Sequence, residues 1–354
     1  MRTVYYFYPM RHRVSFQFVA RQHIEMLRER YGVEEIDEIS FYGRDIFVKA
    51  RAFVHPYLYI VGKDPERAVW ETAKYDKLVA VDVADSDRLS REAVNLFNLA
   101  DACVVPSTWS REAYIRSGVA VPVHVVPHAL KPAFYEPRVD VRESPSLAEY
   151  ADLLLKVRER YKVLICFFLW HSFWRKGVDL VLKTLSALRR ERGDFAVIAR
   201  TADSLFLAGL EVAQVPAVSL TQWLDDKALV ALYDLCDIYP LFSRGGGFEL
   251  NGLEALARGE IVLAANEGSW TDYLPSEFLL PVAKYEHPLP RNPYHVGLGP
   301  VVDTEKAVDK LHAIIDNLDD WKARARERAL EVRERFSAES VKNILLNACD
   351  RIGI

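Results

Sequence analysis

The chain has 354 residues, half of them apolar and 27% charged, the profile of a soluble globular protein with room for two ordinary domains. A net charge of −4 argues against a nucleic-acid partner held by bulk positive charge, and no apolar run approaches the roughly 18 residues needed to span a bilayer. The start, MRTVYYFYPM, has no signal-peptide cleavage site and reads as a first strand, so a cytoplasmic protein is expected. Cys103, Cys166, Cys236 and Cys349 are too scattered for a zinc or redox pair. Glutamine is scarce while Glu and Arg are plentiful, a composition that points to a thermophile.

Short apolar runs alternate with segments of helical period, which predicts parallel sheets covered by helices. Val4–Tyr8 forms a first strand, and 15–30 is a helix with Phe18, Val19, His23, Met26 and Leu27 on its buried face. Strands are expected at 52–61, 78–83, 102–105 and 123–126, with a helix at 109–117. These elements make a first doubly wound domain over residues 1–137. The polar, helical stretch 138–160 connects it to a second domain, 161–336, where the alternation restarts. Strands are predicted at 163–169, 195–199, 217–220, 238–242 and 261–265, and helices at 178–190, 226–235 and 250–257. The last fifty residues are helical and charged.

The most informative segment is LFSRGGGFELNGLEALARGEIVL, residues 241–263. A strand runs into Gly245, Gly246 and Gly247, which allow a tight turn and close backbone approach to a ligand. A helix is expected to open at about Phe248, and its first amides suit a diphosphate. Glu254 lies one to two turns further on, able to face the same cleft and accept ribose hydroxyls. The alternative is a turn that merely reverses the chain, with Glu254 exposed. The pattern is neither GxGxxG nor a Walker loop.

With these residues, SRGGGFELNGLEALARGEIVLA resembles the donor-site signature of the retaining family-4, glycogen-synthase-like glycosyltransferases (glycosyl transferases group 1), matching it at Gly247, Phe248, Leu250, Glu254, Ala255 and Gly259. VVPSTWSREAYIRSGVAVPVHVVPHALKPAFYEP, WRKGVDLVLKTL, LDDKALVALYDLCDIYPLFSR and ERFSAESVKNIL resemble further family segments in the same order. The resemblance implies the GT-B fold, two Rossmann-like domains facing a cleft, with a final helix (about 337–354) packing back on the first. It also implies hexosyl transfer with retention and without a metal, from a UDP- or GDP-linked sugar to a saccharide, lipid or protein hydroxyl. The nucleotide-sugar is then a co-substrate, and no further cofactor is expected. Glu254 would bind the ribose, and the amides of Phe248, Glu249, Leu250 and Asn251 the pyrophosphate or sugar. Lys176 would bind the diphosphate. The loop at Asn266, Glu267, Gly268, Ser269 and Asp272 would pack beside the donor. Trp223 stands where the family reads the base, and packs in the core if it does not.

The chain departs from the family pattern at three places. The family's leading Glu falls on Gly246; Glu249 is the candidate to substitute for it, but three residues along it is expected to point differently. The family's Arg six residues before the Lys falls on Trp170, and Arg175 is the candidate to supply its charge. The glycine-rich loop after the first strand is replaced by Arg11, His12 and Arg13, facing either an anion or solvent. In place of the family's His near the reacting sugar stands Asp82, which either orients the sugar or takes the acceptor's proton, or caps a turn. Asp85 and Asp87 have metal-motif spacing but lie in the first domain. His128 replaces a frequent Asn and reads as structural, and His55 has no assigned role. The basic stretch 322–335 either touches lipid headgroups as a peripheral contact or is a solvated helix. Alternatives to transfer are a non-catalytic nucleotide-sugar or glycan binder on the same fold, and a sugar-nucleotide epimerase.

Overall fold

The computed structural model describes residues 3–12, 14–43 and 50–354. One parallel sheet takes β1 (Thr3–Tyr8), β2 (Gly32–Asp37), β3 (Ala50–Val54), β4 (Tyr75–Val81), β5 (Ala102–Val105) and β6 (Val123–Val125), in the order β2-β1-β3-β4-β5-β6. A second takes β7 (Val163–Leu169), β8 (Phe195–Thr201), β9 (Ala217–Leu220), β10 (Ile238–Leu241), β11 (Ile261–Ala265) and β12 (Leu279–Leu280), ordered β12-β11-β10-β7-β8-β9. An antiparallel ribbon follows, pairing β13 (Val282–Glu286) with β14 (Gly299–Val302). Two doubly wound sheets with helices against their faces make the α/β GT-B architecture.

Central strands are legible because helices cover both faces, so the whole run must be apolar. All seven residues of β7, VLICFFL, are buried. The edge strand β2, GVEEID, has a single buried residue and gave no apolar signal. The strand expected over 52–61 ends at Val54, and Tyr57–Val61 is a short helix. Pro56 has no N–H to continue the ladder, and a fully apolar run carries no period to separate helix from strand. The helix Ala338–Ile352 crosses back to the first sheet, where Val341, Leu345 and Cys349 pack with Val4, Tyr6 and Ile24.

The second sheet changes direction between β7 and β10, so the loops leaving these two strands diverge around a crevice, the usual ligand position in such sheets. Registered pairing between them is confined to Ile238 with Ile165. Two residues on, Pro240 has no N–H to extend the ladder.

Candidate active site

The loop after β7 runs from Trp170 to Gly177 and starts the helix Val178–Glu191. Gly177 takes a left-handed φ of 65°, and a Cβ there would stand 1.9 Å from the carbonyl oxygen of Phe242. The absence of a side chain lets this loop lie flat on the exit of β10, where Arg244 N–H donates to the Arg175 carbonyl at 2.8 Å. Arg175 and Lys176 are thereby held facing the glycine turn.

They meet one carboxylate. Lys176 Nζ lies 2.5 Å from Glu249 Oε2, and an Arg175 terminal nitrogen 3.3 Å from Glu249 Oε1. The same Arg175 nitrogen donates to Gly245 O at 3.1 Å and reaches Asp85 Oδ1, across the cleft, at 3.5 Å. The Glu249 side chain is 2% exposed and those of Arg175 and Lys176 12% and 22%, so the cluster is largely shielded from water. Burial, with Arg175 alongside, holds the Lys176 pKa below its usual value, while Glu249 opposes that shift.

Two expectations about this loop are corrected. The helix opens at Leu250, as the 250–257 assignment has it and not at Phe248, because Glu249 takes a left-handed conformation, φ 61° and ψ 67°. Such a backbone interrupts the helix one residue before its first turn. Glu249 also does not point away from Gly246. Its chain folds back so that a Cβ on Gly246 would lie 2.0 Å from Glu249 Oε1. The carboxylate absent from position 246 is thus present in space, delivered from position 249, and glycine at 246 is the condition for it. The flanking glycines let the first half of the chain approach closely. Added Cβ atoms would stand 2.0 Å from Asp85 O at Gly245 and 2.4 Å from Val83 at Gly247. Ser107 Oγ donates to Gly247 O at 2.7 Å and fastens the turn to the first half.

The Phe248 ring is 3% exposed and packs among His128, Tyr273 and Phe336, leaving its backbone alone for a ligand. Leu250 and Asn251 begin the helix, and Asn251 O accepts from Tyr233 at 3.4 Å. Glu254 is 8% exposed and takes a hydrogen bond from Tyr233 at 3.2 Å. Burial raises its pKa to about 7, against the pull of Lys131 and Tyr233. Lys131, from the segment after β6, pairs with Asp226 at 2.5 Å, and the sequence reading missed it. Beyond Glu254, Trp223 is 46% exposed and stands edge-on to Trp170 at 5.5 Å, so Trp223 is not a core residue.

Asp82 is 5% exposed, and its oxygens accept from the amides of Leu58 at 2.7 Å and Val83 at 2.8 Å. Of the two roles open to it, the geometry is that of the cap. Burial raises its pKa to about 7. The carboxylate that faces the cations is Asp85, where burial is outweighed by Arg175, His295 and Lys176, so its pKa is lowered. Arg11 and His12 turn to Asp37 and Glu38 at the end of β2, at 3.9 and 3.4 Å, and Arg13 lies outside the described residues. Asp272 accepts from the Thr108 amide at 2.8 Å, so its loop ties the halves together. His55 and His23 are buried around the Tyr6 hydroxyl, at 3.3 and 3.0 Å. From the basic stretch, Lys322 pairs with Asp237 at 2.5 Å and Arg333 donates to Ala257 O at 2.7 Å. Among the described residues, no three His, Cys, Asp or Glu side chains gather as a metal site, and no helix is long and apolar enough to cross a membrane.

Residues 161–282, which include this loop pair, match the family model of glycosyl transferases group 1. The chain is 32% identical over 358 residues to "Uncharacterized protein 356" of Sulfolobus islandicus rod-shaped virus 1, covering 99% of both. The chain belongs to the group 1 glycosyl transferases. A second relative, "Putative glycosyltransferase 45" of a Sulfolobus islandicus filamentous virus, is 29% identical over 280 residues, 75% of this chain and 71% of that one. Among solved structures, Anabaena HepE in complex with UDP and glucose superposes with a TM-score of 0.72 at 14% identity, over 99% of this chain and 100% of that one. The sucrose-phosphate synthase of Thermosynechococcus elongatus does so with a TM-score of 0.68 at 15% identity, over 100% and 99%. These two likenesses speak for the GT-B fold, and the family makes this group 1 protein a transferase.

Proposed function

We propose that this glycosyltransferase moves a hexosyl group from a nucleotide-sugar to a hydroxyl acceptor, with retention at the anomeric carbon and with fixed side-chain cations in place of a metal. The observation that supports it is the convergence of Lys176 and Arg175 on the loop at Gly246 to Glu249, at the strand-order reversal, with the buried Glu254 a turn away. A nucleoside diphosphate laid there has cations for its phosphates, the opening amides of the helix at Leu250 and Asn251, and a carboxylate for its ribose. In the reaction the anomeric carbon–phosphate oxygen bond breaks and a bond to the acceptor oxygen forms. The acceptor's proton passes to the departing phosphate oxygen. Charge grows on that diphosphate, and preorganised cations stabilise it without reorganisation. Glu249 takes the place of the family's leading Glu towards the transferred sugar, because its carboxylate occupies the space above Gly246.

Nucleotide release from a panel of UDP- and GDP-sugars, with and without simple acceptors, tests the reading. Lys176→Ala is expected to lower turnover by roughly 10²- to 10³-fold. Wild-type turnover that Lys176→Ala leaves undiminished refutes it.

A further inference from the structure

The stretch between β13 and β14 leaves the second half of the chain and lies on the first. Its root sits on the two loops of the candidate site. Trp174 Nε1 donates to His287 O at 2.8 Å and Arg244 Nε to Glu286 at 2.8 Å, and a Cβ on Gly299 would stand 1.6 Å from Arg244 O. Its far end is tied to residues 85–90, beyond β4. Asp87 N–H donates to Leu298 O at 2.9 Å, and Asp87 Oδ1 accepts from Leu298 N–H at 2.7 Å. Gly297 N–H donates to Arg88 O at 3.2 Å and Ser90 N–H to Tyr294 O at 2.8 Å, and His295 pairs with Leu89 as an isolated antiparallel bridge.

Glycine stands where side chains would keep these surfaces apart. A Cβ on Gly297 would lie 2.2 Å from Asp87 Oδ1 and 2.4 Å from Arg88 N. In the first half, one on Gly62 would lie 2.4 Å from the Tyr294 hydroxyl, which donates to Gly62 O at 3.2 Å. Loops ordinarily run over a surface with their backbone groups in water. Here both sides spend those groups on each other, so the contact is an interface built into the chain. His295 links it to the site. Its Nδ1 accepts from the Asp85 amide at 3.2 Å, which leaves the ring proton on Nε2, and Asp85 is the first-half carboxylate that reaches Arg175.

We propose that residues 287–298 are a clasp that holds the two halves closed across the crevice, and that His295 positions Asp85 opposite Arg175. The second part rests on the reading of Arg175 as a donor-site cation. The clasp keeps Asp85 and Arg175 together before any ligand arrives, so this part of the site is assembled in advance.

Amide hydrogen exchange of the ligand-free protein tests the clasp. The Asp87 and Ser90 amides should be protected in the wild type. Gly297→Val should speed their exchange about tenfold or more, the scale of one or two lost hydrogen bonds. Amides of β4 and β7 should keep their protection and show an intact fold. Should the valine variant not fold, Tyr294→Phe removes only the bond to Gly62 and should speed the same amides about threefold. His295→Leu should free the Asp85 amide and lower nucleotide release about tenfold or more. His295→Asn, whose side-chain oxygen can accept in place of Nδ1, should restore both. The clasp is overturned if Asp87 and Ser90 exchange as fast as exposed loops, or if the folded variant leaves them unchanged. The positioning role is overturned if Leu serves at 295 as well as Asn. A wild type that releases no nucleotide, yet shows these amides protected and then freed in the variants, keeps the clasp and removes the donor reading alone.

Discussion

The exchange of Gly246 and Glu249 makes a prediction with a magnitude attached. In Glu249→Gly, the cations 2.5 and 3.3 Å from the carboxylate lose their shared counter-ion. Removing one partner of a well-buried pair costs about 3–5 kcal/mol. Lys176 is 22% exposed and Arg175 keeps Asp85 at 3.5 Å, so about 2–4 kcal/mol is the better figure here. Glycine returns about 1 kcal/mol at a left-handed position, leaving a net loss of about 1–3 kcal/mol. Gly246→Glu alone places a Cβ against the Glu249 carboxylate and a second negative charge beside it, costing about 1–3 kcal/mol. In the double variant the new carboxylate can reach the same cations without collision. Its stability should return to within about 1 kcal/mol of the wild type, a coupling of about 1 kcal/mol or more. Denaturant midpoints of the four proteins measure the coupling, and nucleotide release shows whether function follows. Costs that simply add, with the double variant the least stable, would refute the account of Glu249 as a relocated carboxylate.

Two further outcomes follow from the same geometry. Burial raises the Glu254 pKa to about 7, and on the proposed reading its ionised form is the stronger acceptor for the ribose hydroxyls. Nucleoside affinity should therefore fall as pH drops through about 7, and Glu254→Gln should flatten that dependence in a titration series. Since its folded pKa lies above its unfolded value, the stability linked to Glu254 is present at low pH and lost as pH rises through about 7. Without ligand, Glu254→Gln should thus gain on the wild type in melting temperature between pH 5 and pH 8. Gly177→Ala should cost about 2–4 kcal/mol, because its Cβ would lie 1.9 Å from Phe242 O. The loop must then lift from β10 and carry Lys176 with it, so turnover should fall with stability in parallel melting and release assays.

Residues that must be apolar on every side, as in β7 and β11, announced themselves. The glycine turn did so because few residues fit a backbone packed that tightly. Elements whose signals are weak or mixed stayed hidden: the half-exposed β2, and the Tyr57–Val61 helix, whose apolar run matched a strand equally well. In the candidate site, the placement of Lys176 against the glycine turn and of Glu254 on the helix after it was legible from position in a motif. The direction of Glu249 was not, because reading three residues along assumes an ordinary backbone, and φ at 61° reverses the side chain. Asp85 was passed over for Asp82 because sequence locates a strand end without saying which carboxylate the backbone amides take.

The glycine turn is shared property of the two halves of the chain. Val83, Asp85 and Ser107 from the first half touch the same residues that follow β10 in the second. Whatever fixes that turn from one side therefore changes the equilibrium seen from the other, and the two effects are equal by thermodynamic necessity. A donor that tightens the contact between halves raises acceptor affinity by some factor, and the acceptor returns the same factor to the donor. Two substrates held from opposite halves of such a molecule can sense one another through a few ångströms of backbone that has no side chains to yield.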